Sequence, residues 1–275
     1  MILAEFYRRY KGWYFGTVFI KNSEKIPFYQ FSSLEPCADV VAHAVFTRAS
    51  GDVRVMPNRA AMQLFFEEQF LNGRRTVMIS ANQTHSDHVL VLRQGDALPV
   101  VTEVDDTDAF VTNRRDVTLL VKTADCQSVL LFDPGARSSG ADSSGVLGLV
   151  HSGWRGSLQN IVGKTVAAMC GEFGADPGRI VACIGPSIGP CCHEFTDPVS
   201  ELPPEFHPYI LEDGRHVNFL AATRDQLVAR GVRLPAIEFS GVCTCDRTDE
   251  FYSFRKDRLT GRFGMMVGFQ KLLGE

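Results

Sequence analysis

Short apolar runs bounded by turn-forming residues dominate the chain, and they predict strands. Between residues 76 and 133 the runs are TVMISA, HVLVL, AFVT, DVTLLVKTA and SVLLFD, the last ending at Pro134-Gly135. GVLGLVHS (145–152), RIVACIG, AIEFSGV and FGMMVGF continue the series towards the C-terminus. The alternating aromatic and polar residues of WYFGTVFI, within residues 1–30, suggest edge strands. Three stretches read as helices. PNRAAMQLFFEEQF (57–70) carries Pro57 near its start, where a missing N–H costs nothing. In 157–173, Leu158, Ile161, Val162, Thr165, Val166 and Met169 share one face, and Gly171 and Gly174 stop the helix. HVNFLAATRDQLVARG (216–231) is amphipathic and closes at Gly231. GARSSGADSSG (135–145) is small, polar and glycine-rich, and reads as a flexible loop. Many strand-like runs follow one another without an intervening helix, so regular βαβ alternation is absent. The expectation is an α+β fold with mixed or antiparallel sheets covered by helices, without internal repeats.

Composition narrows the class. The 275 residues suit one large domain or two small ones, and 45% hydrophobic with 22% charged residues is ordinary for a globular protein. A net charge of −4 gives no electrostatic case for nucleic acid or an acidic membrane surface as a partner. No apolar run reaches the roughly 18 residues that a membrane span needs, and the N-terminal MILAEFYRRYKGWYF lacks a signal-peptide apolar region. The expected location is the cytoplasm. The eight cysteines are therefore expected to be reduced thiols rather than a disulfide framework, with Cys170 and Cys183 inside apolar runs as core residues.

Three segments end an apolar strand with a metal-capable or nucleophilic side chain: NQTHSDHV with His85 and His88, KTADCQSV with Asp125 and Cys126, and VHSGWRGS with His151 and Arg155. Strand ends are rigid platforms beside loops, where sites are commonly built. His85, Cys126 and His151 make a borderline-soft donor set that suits zinc and leaves a fourth position open. The same set can hold copper, and two satisfied histidines with a core cysteine are the simpler alternative. Arg155 precedes the 157–173 helix, where an arginine beside free N–H groups offers a seat for phosphate or carboxylate. A surface arginine over a helix cap is the plainer reading.

Other patterns carry less. Gly185-Pro186-Ser187-Ile188-Gly189 matches GxSxG, but Pro190 and CCHEF follow where a nucleophile elbow needs a helix, so Ser187 reads as a turn residue. Gly163-Lys164-Thr165 resembles the end of a P-loop but lies inside a helix, with Leu158 at the first glycine position. The vicinal Cys191-Cys192 pair and the CTC of 243–245 can bind metal, form redox pairs or simply pack. No HExxH, no HxE with PCxxC, no GxGxxG and no HxH pair occurs.

TADCQSVLLFDP, GLVHSGWRGSLQNIVGKTVAAM, ACIGPSIGPCCHEF and GVCTCDRTDEFYSFRKDRLTGRFG, preceded by ANQTHSDHV, resemble successive blocks of the YfiH-like, laccase-domain family, long labelled polyphenol oxidases and now regarded as purine nucleoside phosphorylases. The resemblance spans about residues 40–270. It implies one domain over residues 1–275, folded as a four-layer α-β-β-α sandwich. It also implies a metal, usually zinc, on His85, Cys126 and His151. His88 matches no ligand of the family. The implied activities are phosphorolysis of adenosine, inosine and 5′-methylthioadenosine, and deamination of adenosine; some members are described as peptidoglycan editing factors. The chain departs from the pattern in places. FTRASGDVRVMPNRAAM is shorter than the family's segment and keeps only Arg48, CTCD is one residue short, and Lys256 stands where Arg is common, which loses a bidentate fork.

For such a reaction Arg48, Arg155 and Arg255 are the candidate phosphate seat, supported by a helix beginning near Ser157. The metal would orient an oxygen or activate a water. Asp125 is the candidate proton shuttle, or else the residue that holds a ligand histidine in its tautomer. Three other classes remain: a Cys–His hydrolase with Cys126 as nucleophile, a copper polyphenol oxidase, and a partner-binding protein without turnover. The residues leave the preferred nucleoside and the oligomeric state open.

Overall fold

The computed structural model describes residues 19–22, 26–98, 103–135 and 145–270. Most of the glycine-rich 135–145 stretch and most of WYFGTVFI lie outside these residues. The strands in chain order are β1 (Phe19–Asn22), β2 (Phe28–Phe31), β3 (Val41–Phe46), β4 (Val77–Asn82), β5 (Val89–Leu92), β6 (Glu103–Asp105) and β7 (Ala109–Thr112), followed by β8 (Val117–Thr123), β9 (Gln127–Asp133), β10 (Val146–Ser152), β11 (Val181–Ile184), β12 (Ile237–Phe239) and β13 (Phe263–Phe269). The α-helices are α1 (Met56–Phe70), α2 (Trp154–Leu158), α3 (Ile161–Phe173), α4 (Pro198–Glu201) and α5 (Phe219–Ala229).

Two mixed sheets result, a seven-stranded one in the order β1-β2-β3-β13-β8-β4-β6 and a six-stranded one in the order β12-β11-β9-β10-β7-β5. The period-2 alternation of their central strands builds the layers. Leu130 and Phe132 of β9 enter the core between the sheets, against Leu119, Val121, Met265 and Val267. Val129 and Leu131 of the same strand face outwards, against Ile161, Val162 and Met169 of α3 and Leu227 of α5. On the far side Leu120 and Met266 turn away from the inter-sheet core and pack under Met62 and Phe66 of α1. The strands are therefore covered on both faces, which is why they read as continuous apolar runs rather than alternating ones. The expected α-β-β-α sandwich is observed.

Three boundaries differ from expectation. The 157–173 helix is two helices, because Asn160 adopts a left-handed backbone (φ 57°) that ends α2 and caps α3, its side chain accepting from Gly163 N–H. The helix expected over 216–231 is Phe219–Ala229, started by the side chain of Asn218, which accepts from Ala221 N–H. β3 has no counterpart in the strand readings of the sequence, although VAHAVF is fully buried. Its His43 interrupts the apolar run, yet the ring is a core residue whose Nε2 accepts from Phe31 N–H at 2.8 Å.

Candidate metal centre

Cys126 lies in the tight connection by which the chain leaves β8, in one sheet, and enters β9, in the other. His151 sits near the end of β10, and His85 follows β4. Strand ends of both sheets thus meet at one rim. The ligand atoms of His85, Cys126 and His151 all lie within 4.8 Å of one another. Cys126 Sγ is 3.7 Å from His85 Nε2, and the two imidazoles stand at 73° to each other. The backbone at this rim is forced: His85 (φ 64°) and Asp125 (φ 86°) are both left-handed without being glycine. Such conformations cost on the order of 1–3 kcal/mol each and persist where the surroundings over-determine them.

Asp108, just before β7, organises the cluster. Its Oδ1 accepts from His151 Nδ1 at 2.6 Å and from His85 N–H at 3.2 Å. Its Oδ2 accepts from the N–H groups of Thr84 and Ser86 and from Ser86 Oγ. One fully buried carboxylate therefore fixes both the loop that carries His85 and the ring of His151, leaving His151 Nε2 for the cluster. Burial pushes Asp108 up, but the hydrogen bond and charge of His151 and the Ser86 donors outweigh it and hold the carboxyl down at about 2. Burial opposes the charge on Cys126 too, yet the facing His151 and His85 rings bring its thiol down to about 6. Against the burial that lowers it, His151 is raised to about 9 by the Cys126 sulfur and Asp108. Both shifts favour a thiolate facing a protonated His151, and a cation at the site would displace that proton. Gly153 makes room for it: a Cβ there would stand 2.7 Å from His85 Cδ2 and 3.0 Å from Cys126 Sγ.

Two nitrogens and a thiolate at this spacing, with the tautomer of His151 set from behind, fit a zinc-type centre with an open position. They also fit copper in kind. The remaining histidines do not extend the cluster into a multinuclear one: His193 lines the adjoining cavity without bringing a ligand atom into the cluster, His43 is in the sheet core, His88 bonds Asp106, His207 bonds backbone carbonyls and His216 bonds Asp213.

A cavity of about 300 Å³ opens beside the cluster. Its wall combines rings (Trp154, His193, Phe219, Phe254) with cations (Arg155, Arg255, Arg258) and the side chains of Asp125 and Gln127. Arg155 stacks over Trp154 at 4.2 Å and Arg258 over Phe254 at 4.6 Å. Gln127 Nε2 donates to the Phe219 carbonyl, and its buried Oε1 has no partner among the described residues. Burial keeps His193 neutral, at about 3. On the other side of His85 and Cys126 lies a second cavity of about 440 Å³, whose cations are largely neutralised: Arg59 and Lys122 pair with Glu103, and Arg54 with Asp52.

Several residues are placed differently from expectation. Arg48 lines neither cavity; its guanidinium donates to the Thr248 carbonyl and stacks on Tyr252 at 4.9 Å. Arg255 reaches the wall, but its two Nη atoms donate to the carbonyls of Cys192 and Glu194, so it braces a loop. Asp125 touches neither histidine. It accepts from Thr244 Oγ1 at 2.7 Å and Arg255 N–H at 2.6 Å, and the tautomer-holding role falls to Asp108. The only sequence signal for Asp108 was a carboxylate heading the apolar AFVT. Ser187 is buried in a turn paired with Val242–Thr244 and no helix follows it.

Residues 47–270 match the family described as multi-copper polyphenol oxidoreductase laccase. The chain is 27% identical over 263 residues to the human purine nucleoside phosphorylase LACC1, an alignment covering 86% of this chain but only 56% of that protein. It is 33% identical over 199 residues to adenosine deaminase RL5 from an unknown prokaryotic organism, covering 67% and 72% of the two chains. The crystal structure of YlmD from Geobacillus stearothermophilus superposes with a TM-score of 0.74 at 25% identity, over 93% of this chain and all of that one.

Proposed function

The chain belongs to the laccase family just described, and from that premise we propose that it is a zinc-dependent purine nucleoside phosphorylase that also deaminates adenosine. The observation that carries this reading is the junction of the His85–Cys126–His151 cluster with a cavity walled by both rings and arginines. Its volume is at the lower end of the range for small-molecule sites and suits a nucleoside. The relatives' names, purine nucleoside phosphorylase and adenosine deaminase, direct the choice of substrate class, and within it we propose adenosine, inosine and 5′-methylthioadenosine as the nucleosides. We propose further that residues 1–275 act as one domain.

His85, Cys126 and His151 would hold the zinc. When bound, the ion supplies Lewis-acid charge at one open position, where an oxygen can be polarised or a water acidified. The chain's own residues supply the rest. Phe219, His193 and Trp154 offer aromatic surface to the base, and Gln127, on the same wall, is fixed by its bond to the Phe219 carbonyl. Arg155 and Arg258 are held by ring stacking rather than by carboxylates, so their charge serves an incoming phosphate. The N-terminus of the short helix α2, at Gly153 and Trp154, lies on the same wall. Asp125 lines the cavity next to Cys126 and is the candidate to move a proton to or from the base. The scarcity of histidines around the cluster speaks against a multi-copper polyphenol oxidase.

The test is turnover of adenosine with and without phosphate, followed by chromatography beside a metal assay. Adenine with ribose 1-phosphate only when phosphate is present, and inosine in either case, are expected. A zinc-loaded protein that converts no purine nucleoside refutes the proposal. One observation favours a second reading: Cys126, His151 and Asp108 are also arranged as nucleophile, base and orienting carboxylate. A chelator-treated protein that stays active and is inactivated by iodoacetamide would establish that reading instead.

A further inference from the structure

A second thiol cluster stands behind the cavity wall. The sulfurs of Cys191, Cys192 and Cys243 and a carboxylate oxygen of Asp246 all lie within 4.8 Å of one another. Cys191 Sγ is 3.3 Å from one Asp246 oxygen and Cys192 Sγ is 3.4 Å from the other. All three cysteines are unbridged. Gly189 donates its N–H to Cys243 Sγ at 3.2 Å, and a Cβ on that glycine would meet Cys191 Sγ at 3.2 Å, so the residue leaves space for converging sulfurs. A disulfide would use two of the thiols and leave the third beside a carboxylate that discourages its ionisation. A cation reconciles three sulfurs with one carboxylate, because every donor then gains from the same charge.

The segments that carry these residues have little regular structure of their own. No helix or strand lies between Ile184 and Pro198, nor between Phe239 and Phe263. They are joined by backbone bonds from Ser187 N–H to the Val242 carbonyl and from Thr244 N–H to the Ser187 carbonyl. They also reach the cavity. Thr244 donates to Asp125, the carbonyl of Cys192 accepts from Arg255, and His193 lines the wall.

We propose that Cys191, Cys192, Cys243 and Asp246 form a second, structural zinc site that clamps these two segments together and thereby positions Asp125, Arg255 and His193. Binding takes place with loss of the three thiol protons to solvent, giving a closed four-ligand site. Cys245 is packed in the same cluster but is not a ligand. The inference is independent of the reaction proposed above, since it concerns different ligands.

The experiment is zinc stoichiometry by mass spectrometry on the purified full chain and its variants, with cobalt(II) substitution of the Cys126→Ala protein. About one zinc per chain is expected to survive Cys126→Ala and Cys245→Ser/Cys126→Ala, and to be lost on adding Cys192→Ser or Cys243→Ser to Cys126→Ala. The cobalt form of Cys126→Ala is expected to show sulfur-to-metal charge transfer and the visible bands of a tetrahedral site. Should the serine variants fail to fold, the wild-type protein supplies the readout. Its Cys191, Cys192 and Cys243 are expected to resist iodoacetamide until a chelator is added, as mapped by peptide mass spectrometry. A Cys126→Ala protein that folds without metal, a Cys192–Cys243 disulfide, or alkylation of all three cysteines without chelator overturns the proposal.

Discussion

Asp108→Asn isolates what the buried carboxylate does for the metal centre. The wild-type carboxylate accepts six hydrogen bonds, one from His151 Nδ1 and five from the turn at residues 84–86. An amide is nearly the same size but turns one acceptor into a donor. One end of it must then face either His151 Nδ1 or the turn's N–H groups, donor against donor. The charge-assisted bond to His151 is worth about 1.5–3 kcal/mol, and each 1.4 kcal/mol is tenfold in affinity. Zinc should therefore bind roughly 10–100-fold more weakly, in line with the usual effect of losing a residue that orients a metal ligand. The assay is competition for zinc against a chromophoric chelator, with circular dichroism to show that the fold is kept. A second readout separates orientation from general loosening. Asp108 helps raise His151 to about 9, so the variant's His151 should lose its proton at lower pH, and the rise of zinc affinity with pH should level off earlier. Unchanged affinity together with an unchanged pH profile would refute the argument that Asp108 sets this site.

Gly153→Ala places a methyl against His85 Cδ2 and Cys126 Sγ and is expected to cost about 1–3 kcal/mol in zinc affinity or stability, read by the same competition and by thermal melting. In chelator-treated protein, alkylation of Cys126 by iodoacetamide should reach half its maximal rate near pH 6 rather than near the ordinary thiol value of 9.0, as stopped time points and peptide mapping would show. Burial pushes His43 down from 6.5 to about 3, so the unfolded chain takes up a proton that the folded one refuses in this window. Stability should fall by about 1.4 kcal/mol per pH unit from this residue alone as pH drops from 6 to 4, and His43→Gln should flatten that slope in urea titrations. Arg155→Met should raise KM for phosphate several-fold while leaving KM for the nucleoside nearly unchanged; equal effects on both would remove Arg155 from the phosphate seat.

The strands around the centre were legible because each is buried on two faces, and a doubly buried strand writes itself as an unbroken apolar run. β8 and β9, which flank Cys126, are of this kind. Local rules found α1 by its proline start. They missed β3, where a buried histidine looks polar until its Phe31 partner is in place. They also joined α2 to α3, because the left-handed turn at Asn160 leaves the apolar period nearly intact. His85, Cys126 and His151 were nameable from residue type at strand ends and from the resemblance of their surrounding blocks. Their convergence at one rim, the assignment of the tautomer role to Asp108 instead of Asp125, and the removal of Arg48 from the cavity were not. Those facts depend on which strands become neighbours. The order β12-β11-β9-β10-β7-β5 brings residue 108 beside residue 151, and no local pattern encodes a distance across 43 positions. The sequence by itself therefore determined the layered class and the chemical types at the centre, since burial and donor chemistry are local properties. Only the tertiary structure decided which carboxylate, which arginines and which thiols share a site, because those are properties of strand pairing.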